Sequence, residues 1–207
     1  MNCTLCNTTL KNKADEFYFI CAGCGAYVKD QKFYVDSQQE KSMYENHNND
    51  VNDLGYQKFT SPITKTILQH FTPNDLGLDY GCGTGPVISK LLKEKGYKIE
   101  LYDPYFYPNE NYLDYQYDYI FSCEVFEHFY NPAKEIQKLL SVLKPTGSLI
   151  VMTHLYDYKT DFKNWYYRKD TTHVFIYTEK TIQFIAETYN LEAEIQKDRM
   201  IVFKKSV

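Results

Sequence analysis

Apolar positions change their period along the chain, and the changes mark its elements. Leu76 to Lys90 reads LGLDYGCGTGPVISK: a short apolar run through Leu76 and Leu78, then glycines at 81, 83 and 85, then Val87, Ile88, Leu91 and Leu92 at helical spacing. This predicts strand, glycine loop and helix, with Pro86 in the first turn and Gly96 closing the helix near Lys95. Tyr97 to Asp103 (YKIELYD) alternates and predicts a second strand. Pro104 to Gln116 is too short for a full helix and strand, and reads as an irregular aromatic loop. Tyr117 to Val125 is a buried strand. Asn131-Pro132 opens a helix carrying Glu135, Ile136, Leu139, Leu140 and Leu143, which Lys144 to Gly147 ends, and Ser148 to Thr153 is the next strand. Upstream, Ser61-Pro62 is expected to open a helix through Phe71 with Ile63, Ile67, Leu68 and Phe71 on one face.

The first residues follow a different pattern. Cys3, Cys6, Cys21 and Cys24 form C-x2-C-x14-C-x2-C around a candidate strand at Glu16 to Ile20, with another starting at Ala26 to Val28. Thiolates two residues apart on a tight knuckle reach one ion together, and four of them fill the tetrahedral shell of Zn2+. Asn7 and Gly25 stand one residue past each pair, where a knuckle needs positive φ. The expectation is a structural zinc ribbon over 1–36, bracing the fold or framing part of the substrate site. Residues 37–60 are polar and Asn-rich, a linker with a short helix over Gln38 to Glu45, which Ser37 and Glu40 would cap. Met43, Tyr44, His47, Tyr56 and Phe59 are spaced to touch a partner surface.

Composition narrows the function. The chain has 207 residues, 43% hydrophobic, with 21 tyrosines and a net charge of −4. The acidity argues against nucleic-acid binding by general electrostatics. No apolar run approaches the ~20 residues of a membrane span and no signal peptide is visible at Met1-Asn2-Cys3; six cysteines could form disulfides, but in a reducing cytosol their paired short spacings point to metal. A cytoplasmic protein is expected.

Glycines without a Cβ let a ligand lie against backbone N–H groups. Asp103 lies 18 residues past Gly85, where a doubly wound fold places the acid that binds a ribose. The glycines are not spaced as in the G-x-G-x-x-G of an NAD site.

Together LDYGCGTGP, LYDP, YDYIFSCEVFEHF-NP and LLSVLKPTGSLIVMT resemble, in order, the motifs of class I S-adenosylmethionine-dependent methyltransferases, most nearly the branch of the ubiquinone-biosynthesis O-methyltransferases. The resemblance covers about Thr60 to Val207 and implies a methyltransferase domain over 61–207. That domain would be α/β, a doubly wound Rossmann-like sheet closed by an antiparallel hairpin from Leu191 to Gln196 and Met200 to Lys204. It implies that the loop of Asp79, Gly81, Cys82, Gly83 and Gly85 cradles the methionine moiety. Asp103-Pro104 would hold the ribose, and Cys123 and Glu124 would line the cofactor at the end of their strand. The chain departs from the pattern in lacking a third strand and its helix. The adenine acid has no clear match: Asp114 is one candidate, and Tyr102, Tyr105 and Phe106 are alternative flanks.

Between the last parallel strand and the last helix, His154 to Val174 holds Trp165, Tyr166, Tyr167, Arg168, Asp170 and His173, a lid-like insert where an acceptor would sit. Methyl transfer needs an in-line nucleophile and sometimes a base. His128 and His173 are the candidate bases and Glu124 and Glu127 candidate orienting groups, while His154 is a further residue that could face the pocket. The readings that remain are a small-molecule methyltransferase, a zinc-ribbon-guided RNA methyltransferase, and a non-catalytic S-adenosylmethionine-binding module. The acceptor and the oligomeric state are left open.

Overall fold

A computed structural model describes residues 1–46, 50–197 and 199–205. His47 lies outside the described residues. Two sheets organise the chain.

The larger sheet has six strands in the order β5-β4-β6-β7-β10-β9. Strands β4 (Leu76–Tyr80), β5 (Lys98–Tyr102), β6 (Tyr117–Cys123) and β7 (Leu143–Met152) are parallel. The antiparallel hairpin of β9 (Leu191–Gln196) and β10 (Met200–Lys205) closes its edge. Leu78, Ile120, Phe121 and Ile150 in its centre are fully buried, as strands covered on both faces require. Helices α3 (Val87–Lys93), α4 (Pro132–Val142) and α5 (Glu179–Tyr189) follow the strands. The edge strand β5 is followed only by a short 3-10 helix at Glu110–Asp114, so among the described residues the family pattern's third strand and its helix are absent, as the short interval predicts. Lys144 to Gly147 do not break the chain between helix and strand. They arch out of β7 between the Tyr117–Leu143 and Tyr119–Ser148 pairs.

Two helices differ from expectation. Helix α2 runs Leu54–His70, capped by Asp53, with Pro62 inside it. Pro62 was read as a helix start because proline favours the first turn. Here the preceding turn, with Thr60 bonded back to the carbonyls of Tyr56 and Gln57, carries the helix through it, so the boundary expected after residue 60 falls within α2. Helix α1 (Ser37–Glu45) is capped by Asp36 with Gln39, one residue before the expected pair. That register frees Glu40 for another use.

The second sheet has four strands, β1-β2-β3-β8. The N-terminal segment gives β1 (Asn12–Lys13), β2 (Tyr18–Ile20) and β3 (Tyr27–Lys29). The fourth strand, β8 (Phe175–Ile176), comes from the end of the insert and pairs with β3. Asn7 and Gly25 take φ of 59° and 78°, as the two knuckles require. Among the described residues no helix is long and apolar enough to cross a membrane.

Candidate active site

A cavity of about 810 Å³ opens at the carboxyl ends of β4 and β6. The order β5-β4-β6 makes this the point where the connections reverse direction, the crevice in which open α/β sheets bind ligands. Gly81, Cys82, Gly83, Asp103, Pro104 and Glu124 line one side. Gly81 and Gly83 have φ of 81° and 61°, whereas Gly85 is not in the left-handed region. A Cβ at Gly83 would meet nothing within 4 Å, so the backbone there faces open space.

Asp103 stitches this wall together. One carboxylate oxygen accepts the Gly83 N–H at 3.0 Å, and the other accepts those of Tyr105 and Phe106 at 2.9 and 3.1 Å. Asp79 does not line the cavity. It is buried beneath the loop and accepts the Ser89 hydroxyl at 2.6 Å. Burial pushes its carboxyl up to about 7, against the pull of that hydrogen bond. Gly85 also lies outside the lining.

At the end of β6, Glu124 is held at φ of 53°, a strained conformation for a residue with a Cβ. Its N–H bonds Met152 O, and its carboxylate accepts from Arg199 at 3.2 and 3.3 Å. Burial first, then the charge of Glu127, push Glu124 up to about 8. Cys123 lines the cavity beside it, its thiol also pushed up by burial.

His128 and His173 meet at the opposite side, rings 4.8 Å apart. His128 Nδ1 lies 3.1 Å from Thr172 O, and His173 Nδ1 lies 2.7 Å from Tyr167 O. A carbonyl can only accept, so both Nδ1 atoms carry the proton, and each Nε2 of a neutral ring holds a lone pair. Burial lowers the pKa of His173, keeping it in the basic form. Glu127 is fully buried behind them. His154 is instead engaged by Arg199 at 2.9 Å and is not among the lining residues. Trp165 packs into a separate core with Tyr18, Tyr27, Tyr156 and Phe162. Only Tyr166 and Tyr167 of the Trp-Tyr-Tyr run reach the cavity.

Sequence reasoning missed Glu40. Its buried carboxylate accepts hydroxyls from Tyr44, Tyr105 and Tyr130 at 2.7, 2.8 and 3.1 Å, closing α1 over the cavity. The only signal was its place in the polar segment 37–60, where it read as a cap. Arg199 was missed as well, since it lies in a hairpin turn far along the chain.

The four cysteine sulfurs lie within 4.8 Å of one another, with Cys3–Cys24 at 3.7 Å and Cys6–Cys21 at 3.3 Å. A tetrahedron with Zn–S bonds of about 2.3 Å has edges of about 3.8 Å, so the donor set fits that ion. The hydrogen bond from Cys24 holds Cys3 down at about 5, while Cys24 itself is pushed up.

A methyltransferase-domain model matches residues 56–195. The chain belongs to the methyltransferase-domain family. The methyltransferase is similar in fold to 1,6-didemethyltoxoflavin-N1-methyltransferase of Burkholderia thailandensis, solved with 1,6-didemethyltoxoflavin and S-adenosylhomocysteine. Identity is 12%, covering 96% of this chain and 100% of that one, at a TM-score of 0.58. Human N-acetylserotonin methyltransferase in complex with S-adenosylmethionine is 12% identical over 83% of this chain and 57% of that one, TM-score 0.56. A SAM-dependent methyltransferase from Aquifex aeolicus is 17% identical over 79% and 96%, TM-score 0.52. No functionally curated protein matches the sequence. Family and fold together make the protein a S-adenosylmethionine-dependent methyltransferase.

The two loop glycines of this methyltransferase are expected to respond differently to alanine. At Gly81 a Cβ would lie 2.5 Å from Val125 at positive φ, so Gly81→Ala should cost about 1–3 kcal/mol of stability. Gly83→Ala meets no atom and should cost about 1–2 kcal/mol in strain alone, and if the cofactor lies along this loop its methyl should weaken cofactor binding. Thermal unfolding and calorimetry run on both variants check this. Ligand affinity surviving intact in Gly83→Ala would contradict the assignment.

Proposed function

We propose that the protein methylates a small-molecule acceptor held between the glycine-loop wall and His128, with zinc in the four-cysteine cluster. The carrying observation is that Gly83, Asp103 and Glu124 share one cavity with His128 and His173. The cofactor would lie along Gly81 to Gly83, its ribose on Asp103 and its methionine portion toward Cys123 and Glu124. The acidic wall suits a cationic sulfonium. Tyr44, Tyr105, Phe106 and Tyr130 supply flat surfaces for an aromatic acceptor or the adenine.

S-adenosylmethionine supplies an activated methyl group. The protein's part is to align the acceptor and take its proton. His128 is the base we favour: Thr172 fixes its tautomer, and its Nε2 carries the free lone pair. The small-molecule class is in keeping with the 1,6-didemethyltoxoflavin bound by the Burkholderia neighbour. Reduced thiolates for zinc favour the cytoplasm.

Calorimetry with S-adenosylmethionine or S-adenosylhomocysteine should show one site per chain. Burial and the charge of Glu127 push Glu124 up to about 8 against the pull of Arg199, so part of the free protein carries a proton there near neutrality. A bound cation favours its carboxylate form, so S-adenosylmethionine should release a fraction of a proton. Its binding heat at pH 7 should therefore vary with the ionisation enthalpy of the buffer. Absence of binding sinks the reading. A buffer-independent heat would show that Glu124 does not change protonation when the cofactor binds.

A further inference from the structure

Glu40 stands outside the matched methyltransferase domain, which begins at residue 56, yet it lines the cavity at the ends of β4 and β6. Helix α1 carries it there, with the residue 3% exposed. Other carboxylates of the wall face a cation: Glu124 pairs with Arg199, and Glu135 with Lys138. The partners of Glu40 are uncharged. Its Oε1 accepts the Tyr44 hydroxyl at 2.7 Å, and its Oε2 accepts those of Tyr105 and Tyr130 at 2.8 and 3.1 Å. Two carboxylate oxygens offer about four lone-pair sites, so Oε1 keeps a place for one more donor. Burying a carboxylate without a counter-charge is costly, and a further N–H donor from a ligand would offset part of that cost.

The methyl-transfer reading sets the cofactor's ribose on Asp103, and the role of Glu40 rests on that placement. With the methionine portion running back along Gly81 to Gly83, the base leaves the ribose on the other side, toward Pro104, Tyr105 and Phe106. Tyr105 joins that point to Glu40. Its N–H donates to Asp103 Oδ1 at 2.9 Å, and its hydroxyl donates to Glu40 Oε2. One residue thus reaches from the ribose acid to Glu40. Tyr105, Phe106 and Tyr130 line the cavity together with Glu40, and their rings offer a flat base surfaces to stack on. The edge of adenine carries an exocyclic amino group, a hydrogen-bond donor. Asp114, the acid that the sequence offers for this contact, is exposed and outside the lining. Glu135 is engaged by Tyr80 and Lys138, and Asp170 by Thr172. We infer that Glu40 reads the adenine ring of the cofactor, its Oε1 accepting the exocyclic amino group. A helix that precedes the family domain thus supplies the adenine acid for which the domain's own sequence has no clear match.

Two ligands are compared on the full-length protein by calorimetry, with no turnover needed. One is S-adenosylhomocysteine and the other its deamino analogue, with hydrogen in place of the exocyclic amino group. The wild-type protein should bind S-adenosylhomocysteine at least about tenfold more tightly than the analogue, because a carboxylate acceptor loses its donor. Glu40→Ala should weaken S-adenosylhomocysteine by at least about tenfold and change the analogue by less than about twofold, so that the preference disappears. A Glu40 that only held α1 in place would weaken both ligands alike. Glu40→Gln keeps the volume of the side chain with a weaker, neutral acceptor, and should cut the preference at least about threefold. It decides the matter if Glu40→Ala does not fold. Equal binding of the two ligands by the wild-type protein overturns the assignment and leaves the methyl-transfer reading standing. Equal weakening of both in Glu40→Ala, or a preference unchanged in Glu40→Gln, overturns it as well. Binding of neither ligand by the wild-type protein sinks the methyl-transfer reading and the role of Glu40 with it.

Discussion

Asp103→Ala is expected to lower the affinity for S-adenosylhomocysteine about a hundredfold. Two effects act together. If the ribose lies on this carboxylate, its hydroxyls lose charge-assisted hydrogen bonds worth on the order of 1.5–3 kcal/mol each. The same substitution frees the Gly83, Tyr105 and Phe106 N–H groups, so the glycine loop loses its tie to the end of β5. Asp103→Asn separates the two effects. An amide can still accept from Tyr105 and Phe106 but presents a donor toward Gly83 or the ribose. Its affinity should fall about tenfold with little change in the unfolding temperature of the ligand-free protein. Calorimetry and thermal unfolding of both variants make the measurement. Affinity unchanged in Asp103→Ala would remove the ribose assignment.

The second large effect is expected at Cys24→Ser, with Cys3→Ser as its companion. Removing one of four thiolates should abolish stoichiometric zinc and destabilise the protein by at least about 3 kcal/mol, since binding energy of a structural zinc is folding energy. The damage should not stay in the N-terminal segment. Strand β3 pairs with β8 through Tyr27–Ile176 and Val28–Phe175. The Lys29 N–H bonds Val174 O, Lys29 Nζ bonds Thr171 O, and Tyr18 OH bonds His173 O at 2.6 Å. The segment that carries His173 therefore rests on the cysteine-bearing sheet. Hydrogen exchange should quicken at Val174, Phe175 and Ile176 in both variants, and acceptor turnover should fall more than cofactor affinity. Metal analysis showing no zinc in the wild-type protein would refute the assignment. Protection of 174–176 unaltered in Cys24→Ser would refute the coupling.

How much of this could be read beforehand differs by element. The glycine loop was legible because strand, loop and helix are contiguous, and each imposes its own period on adjacent residues. The shortened interval after Asp103 was legible by counting alone, since thirteen residues cannot hold a crossover helix and a strand. The start of α2 was not. Pro62 locally favours a first turn and is costly inside a helix, and the packing of Ile63 and Ile67 against the sheet overrides that local preference. Trp165 was read as a lid residue because an aromatic in a polar insert has no local cue telling core from cavity.

Sequence alone determined which candidate residues occur and in what order: four cysteines in two knuckles, a glycine loop opening a helix, an acid at the next strand end, and a Glu-His pair after the one beyond. These are set by spacing along a few residues, where covalent geometry leaves little choice. Tertiary structure alone decided what those residues face. It turned Asp79 under the loop toward Ser89 and bent Asp103 back to Gly83. It closed Glu40 over the cavity beneath three tyrosines and joined the cysteine segment to the strand after His173. It also brought Glu127, His128 and His173 to one point. Such contacts join residues tens to more than a hundred positions apart, and only the burial of distant apolar faces against one another fixes them.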